Sequence, residues 1–197
     1  RIMLYRDPQH RYWLNGRRIL GVNEVLRLAG MQSFYANGST QALALGTAVH
    51  LACQQYDEED DAQYFLDHLS TETRPYLDRW VAFCQQSKVV LEPEFMEVPV
   101  ANEKYEYACT PDRVGTCCVI EIKTGSPAPW HELQVEAQAR ALETYGLKNL
   151  RRMAVYLSPD SYKCVEFPNI TRAWLTFQAA LTVAKWKTAN NLGENYE

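Results

Sequence analysis

The hydrophobic pattern changes period near residue 89. Before it, apolar positions recur at helical spacing. They predict a helix from about Thr40 to Tyr56, rich in Ala and Leu, and helical stretches at about 62–69 and 72–87. The last of these presents Tyr76, Trp80 and Phe83 along one face. After residue 89, segments 89–100, 104–112, 118–124, 151–157 and 162–167 read as strands, with helices at 130–145 and 171–190. The opening has its own signature. Tyr12-Trp-Leu and Arg17-Arg-Ile-Leu20 flank Asn15-Gly16, a two-residue hairpin signal. Asn23 can then cap a short helix from Glu24 to Ala29 that stops at Gly30. Residues 31–39 read as a loop, and the acidic run Asp57–Asp61 as a solvated connection or helix start. No repeat, low-complexity tract or linker interrupts the chain. The expectation is one α/β domain over 1–197: hairpin and short helix (1–30), a helical insertion toward the N-terminal side (31–88), and a sheet with flanking helices (89–197).

Composition narrows the class. Hydrophobic residues make up 47% and charged ones 22%, as in ordinary globular domains. No apolar run nears the roughly 18 residues that span a bilayer, so no membrane partner is expected. The net charge of −4 does not advertise a nucleic-acid binder, but its distribution is uneven. Residues 1–30 hold six Arg against Asp7 and Glu24; residues 31–100 hold three basic and eleven acidic groups; the rest balances at eleven each. A basic N-terminal arm, with Arg17 and Arg18 at the hairpin, can therefore meet phosphates while the remainder stays acidic. The six Cys (53, 84, 109, 117, 118 and 164) show no CxxC spacing. They read as small core residues in a reducing cytoplasm rather than as disulfides or metal ligands.

The stretch from Thr110 to Gly125 carries the chemistry. In the strand after Gly115, Ile120 and Ile122 share one face while Val119, Glu121 and Lys123 share the other. A turn over Gly115–Cys118 sets Val114 opposite Val119 and Asp112 opposite Glu121. Opposed residues have Cβ atoms about 5 Å apart, so Asp112, Glu121 and Lys123 converge. Two carboxylates at that distance repel by roughly 3 kcal/mol at an effective dielectric of 20. A shared proton, the lysine or a bound cation must offset this. Carboxylate oxygens beside the Ile122 backbone carbonyl suit Mg²⁺ or Mn²⁺.

The combination of Pro111-Asp112, a short turn, a hydrophobic strand and Glu121-x-Lys123-Thr-Gly resembles the PD-(D/E)xK nuclease superfamily, in particular its RecB-like and phage-type exonuclease branch. The resemblance covers most of the chain. Gly46-Thr-Ala-Val-His50 matches its Gly-x-x-x-His motif, and Gln134 lies on the following helix. The opening, with His10-Arg-Tyr12, Asn15-Gly16 and Val22-Asn-Glu-Val-Leu26, is similar to the front of phage-type members. Two positions depart: Gln138 stands where the family has Tyr in Gln-x-x-x-Tyr, and Cys109 replaces a common Gly.

The resemblance implies a restriction-endonuclease-like α/β core, with a mixed central sheet flanked by helices, that hydrolyses phosphodiester bonds in DNA with one or two Mg²⁺ or Mn²⁺ ions. Asp112, Glu121 and the Ile122 carbonyl would hold the first ion, His50 would contribute to a second, and Glu97 would assist. Lys123 would activate water, with Gln134 orienting it. Gly46, Gln138, Trp130, Arg17 and Arg18 are the candidate DNA contacts. Taken alone, His50 reads first as a core histidine and Trp130 as a core side chain, while Gln138 reads equally as a polar helix edge. Exonuclease, structure-selective endonuclease and silent DNA-end-binding subunit remain open, as do a recombination partner and homo-oligomerisation. Iron–sulfur relatives need one Cys ahead of the Gly-x-x-x-His helix and three near the C-terminus. This chain has none before Cys53 and only Cys164 late, so no cluster is expected.

Overall fold

Asn15 and Gly16 both adopt positive φ (51° and 80°), the conformation a two-residue hairpin turn requires. They join β2 (Tyr12–Leu14) to β3 (Arg17–Gly21), and a strand not foreseen, β1 (Leu4–Arg6), adds to the outer edge. The structure, a computed structural model, describes residues 3–32, 39–58 and 69–192. The expected helix at 62–69 and most of the 31–39 loop lie outside the described residues. Helix α1 (Val22–Leu28) starts two residues earlier than expected. Its N-cap is Gly21, whose N–H is reached by the Glu24 carboxylate at 3.4 Å, and not Asn23.

Two mixed sheets form. In the first, β3 runs parallel to β5 (Tyr107–Cys109), with Leu20 opposite Tyr107, and β4 (Val100–Asn102) closes the far edge. The second holds β6 (Arg113–Gly115), β7 (Cys118–Lys123), β8 (Arg151–Leu157) and β9 (Tyr162–Glu166) in that order, with β7 and β8 parallel. Helix α4 (His131–Leu142) makes the β7–β8 crossover that a parallel pair demands. The expected strand at 89–100 is mostly irregular. Pro93 opens a 3₁₀ turn over Pro93–Phe95, and only an isolated bridge, Leu91 to Gly115, precedes β4. The expected 104–112 strand shortens to Tyr107–Cys109: residues 104–106 form the turn after β4, and the strand stops before Thr110-Pro111, because proline cannot donate to a ladder.

Strand β7 is covered on both faces, and its alternation sorts them. Ile120 and Ile122 meet Val49 and Cys53 of α2 (Thr40–Glu58), and Leu77, Trp80 and Phe83 of α3 (Arg74–Ser87). Val119 faces the opposite layer with α1, α4 and α5 (Ile170–Ala189), where Phe177 and Leu181 pack. Each fully buried aliphatic or aromatic side chain contributes about 1.5–3 kcal/mol. Tyr107 donates its hydroxyl to the Ala137 carbonyl at 2.8 Å, tying α4 to the first sheet. Among the described residues no helix is long and apolar enough to cross a membrane. Cys53, Cys109 and Cys118 are core residues as expected; Cys117 and Cys164 are exposed, at a hairpin turn and on an edge strand.

The β6–β7 turn leaves no room beside Gly115. A Cβ there would sit 2.9 Å from the Val90 carbonyl oxygen and from Cys118 Sγ. Gly115→Ala is expected to destabilise the protein by about 1–3 kcal/mol, read as a lower urea midpoint at unchanged m-value.

Candidate active site and metal centre

The β6–β7 register pairs Val114 with Val119 and Arg113 with Ile120, which brings Asp112 alongside Glu121. Asp112 Oδ2 accepts the Ile122 N–H at 2.7 Å, so the aspartate continues the ladder through its side chain. Its Oδ1 lies 3.5 Å from His50 Nδ1. His50 stands one turn beyond Gly46 on α2, and Gly46 abuts the end of β7: a Cβ there would meet Thr124 Oγ1 at 3.3 Å. The small residue thus lets α2 approach the strand that bears Glu121 and Lys123.

Glu121 is 4% exposed and fully engaged. Its Oε1 accepts from Lys123 Nζ at 2.7 Å and Gln134 Nε2 at 2.6 Å; its Oε2 accepts from Gln138 Nε2 at 2.7 Å. Lys123 also donates to Gln134 Oε1 at 3.0 Å, and its ammonium sits 5.3 Å from the Trp130 ring centroid. Gln134 thus contacts both the lysine and the glutamate. Gln138, a candidate DNA contact, is buried and spends its amide on Glu121. Tyr145, in the 3₁₀ turn Glu143–Tyr145 that follows α4, accepts the Ala101 N–H at 3.1 Å. Trp130 packs partly into the core at the start of α4.

Glu97 joins from the segment before β4. Its carboxylate, His50 and Asp112 each offer a ligand atom within 4.8 Å of the others. Glu121 is not in that group; besides setting Asp112 alongside Glu121, the geometry groups Asp112 with His50 and Glu97. Glu94, its neighbour in the sequence, is exposed.

Electrostatics divide the acids. Burial opposes ionisation of Asp112, yet His50, Lys123 and the Ile122 amide together hold its carboxyl below the usual range. Burial and the adjacent Asp112 charge push Glu121 up, only partly offset by Lys123 and Gln138. Glu97 is raised to about 7 by burial and by Asp112, against the pull of Arg113. Burial disfavours the charged form of His50, but the Asp112 and Glu121 carboxylates outweigh it and lift the imidazole to about 9. A second histidine behaves oppositely. Burial lowers His131 to about 3, and its Nδ1 accepts both the Ala128 N–H at 3.2 Å and the Tyr156 hydroxyl at 2.7 Å.

These groups form the floor of a cleft of about 1060 Å³. One wall is basic, with Arg6, His10, Arg11, Arg18 and Arg27. The Asp7 carboxylate fixes the turn beneath it by accepting the Gln9 and Arg11 amides. Arg18 lines the cleft while paired with Glu24 at 2.5 Å; Arg17 pairs with Glu106 and does not line it.

Two residues escaped the sequence reading. Asp57, taken as part of a solvated acidic run, has a side chain only 4% exposed and binds the fully buried Arg113 at 2.5 Å. Arg113 also donates to Glu97 at 3.2 Å. The lone signal was an arginine in the strand directly after the candidate ligand Asp112.

The donor chemistry fits a hard divalent cation. Two carboxylates and one imidazole converge within 4.8 Å, a set of oxygen and nitrogen donors that such a cation accepts. No family model and no curated protein matches the sequence. One solved structure, described as "Putative exonuclease" from Eubacterium rectale, is similar with a TM-score of 0.50 and 9% identity, covering 86% of this chain and 82% of its own. At that identity the likeness concerns the fold: a restriction-endonuclease-like α/β arrangement of mixed sheets flanked by helices.

The His50 value sets a pH dependence. An imidazole ligates only when neutral, so a cation entering below about pH 9 must displace a proton. Mn²⁺ affinity measured calorimetrically is expected to rise from pH 6.5 to 8.5, with proton release visible as a buffer-dependent enthalpy. His50→Ala should bind more weakly and with a flatter profile. In the metal-free protein the raised value stabilises the fold below about pH 6.5, and that contribution fades as the pH climbs through about 9.

Proposed function

We propose that this chain is a divalent-metal-dependent deoxyribonuclease of the PD-(D/E)xK kind, of the RecB-like and phage-type exonuclease branch. The observation that carries the reading is the convergence of Asp112, Glu121, Lys123, His50 and Glu97 on the floor of one basic-walled cleft. The fold shared with a structure described as an exonuclease supports it.

His50, Glu97 and Asp112 would hold a Mg²⁺ or Mn²⁺ ion, with Glu121 and the Ile122 carbonyl beside them for a second. When bound, such ions act as Lewis acids and neutralise phosphate charge. The protein's own part follows from the hydrogen bonds. An ammonium has three donors. Glu121 and Gln134 take two of those on Lys123, and among the described residues none takes the third. That third N–H holds the attacking water or a non-bridging phosphate oxygen, and the fixed positive charge offsets the negative charge growing on phosphorus. Gln138 and Gln134 keep the Glu121 carboxylate aimed while this happens. Arg6, Arg11 and Arg18 hold the substrate backbone along the wall, and Gly46 keeps α2 close enough to present His50.

Purified protein with Mn²⁺ is expected to degrade DNA, and chelation should abolish this. Lys123→Ala and Asp112→Asn should each slow hydrolysis about 10²–10⁴-fold without loss of the folded far-UV spectrum. Degradation of a linear duplex with sparing of the covalently closed form identifies exonucleolytic action. The reading fails if wild type leaves single- and double-stranded DNA intact, or if Lys123→Ala cuts as well as wild type.

A further inference from the structure

Arg113 is a full positive charge with 0% exposure, packed in the layer of Trp80, Ile120 and Cys53, its guanidinium 5.9 Å from the Trp80 ring. As a stabilising device alone it is poor, because desolvating a buried ion pair consumes most of what the pairing returns, and apolar replacements often do as well. Its contacts indicate another use. Nε donates to Asp57 Oδ2 at 2.5 Å, and Nη1 donates to Glu97 Oε1 at 3.2 Å and to the Asp112 carbonyl at 2.5 Å. Asp57 is held in turn by Trp80 Nε1, at 3.0 and 3.1 Å from its two oxygens.

The three candidate ligands come from three separate segments: His50 from α2, Glu97 from the stretch before β4, and Asp112 from the entry to β6. Asp57 lies two turns beyond His50 on the same helix. One guanidinium therefore bonds the second segment through its side chain and the third through its backbone, and reaches the first through Asp57. Glu97 supplies an independent sign of imposed geometry. Its φ of 52° is left-handed, a strained conformation for a non-glycine residue that persists only where surrounding contacts dictate it. Those contacts are the Arg113 fork and the Glu97 N–H to Pro111 carbonyl bond of 3.2 Å.

We propose that Asp57 and Arg113 are a positioning pair that sets the spacing of His50, Glu97 and Asp112 and so the site's affinity for a divalent cation. The proposal rests on the metal-dependent reading given above. Groups that orient metal ligands from behind typically change affinity 10–100-fold when removed.

The test is calorimetric titration of the DNA-free protein with Mn²⁺ alone, alongside thermal melting. Asp57→Asn keeps an acceptor for Trp80 but removes the charge; Arg113→Lys keeps the charge but removes the fork. Both are expected to bind Mn²⁺ 10–100-fold more weakly, and raised Mn²⁺ should restore DNA hydrolysis in them. Glu136→Gln breaks a different buried ion pair, with Arg140 and Arg152, and none of these three bonds His50, Glu97 or Asp112 among the described residues. It should lower the melting temperature and leave Mn²⁺ affinity unchanged, which separates positioning from general stability. Affinity unchanged in both Asp57→Asn and Arg113→Lys, with wild type binding, overturns the pair's role and leaves the nuclease reading standing. Absence of Mn²⁺ binding by wild type removes the reading itself and the proposal with it.

Discussion

Two carboxylates, Asp112 and Glu121, are set side by side and almost wholly removed from solvent, and the surrounding structure is organised by the need to tolerate them. Their mutual repulsion is expressed as a split: one acid holds its charge more firmly than usual, the other less. The counterweights arrive from every neighbouring element. The Ile122 amide comes from the strand itself, Lys123 from two residues further on, Gln134 and Gln138 from α4, and His50 from α2. A nearby pair of like charges with separated titration behaviour is the usual mark of a working site rather than of a structural core.

The apolar scaffold serves this arrangement. Because β7 is buried on both faces, its isoleucines can be gripped by α2 and α3 while its acid and lysine stand against α4. A strand exposed on one side would let solvent screen the charges and weaken each hydrogen bond that aims them. The parallel neighbour β8 supports β7 from Cys118 to Lys123 without a break, so Glu121 and Lys123 inherit the rigidity of a six-residue ladder.

Legibility in the sequence followed the length over which a physical period persists. Strand β7, strand β8 and the helices α2, α4 and α5 were readable because five or more residues repeat one pattern. The convergence of Asp112, Glu121 and Lys123 was readable because hairpin pairing carries register from residue 114 to residue 112. Glu97 was reachable only by resemblance, since its segment is not a strand and alternation says nothing about where it points. Asp57 and Arg113 were hidden for a different reason. An aspartate opening an acidic run looks solvated, and an arginine after an aspartate looks like a surface neighbour. Only tertiary packing reveals that they are each other's counterion. The fate of Gln138 was similarly invisible, because helical spacing puts it on the right face without saying whether protein or substrate takes its amide.

The two imidazoles flanking the site have opposite responses to acidity. His131 stays neutral down to about pH 3, clasped between a tyrosine hydroxyl and a main-chain amide under the start of α4. His50 gains or loses its proton near pH 9. The platform that carries Trp130, and through it one side of the Lys123 pocket, is thus inert across the whole interval in which the opposite rim changes charge. Alkalinity can therefore change the charge on His50, and with it the field felt at Glu121 and Lys123, while the imidazole beneath Trp130 keeps its state.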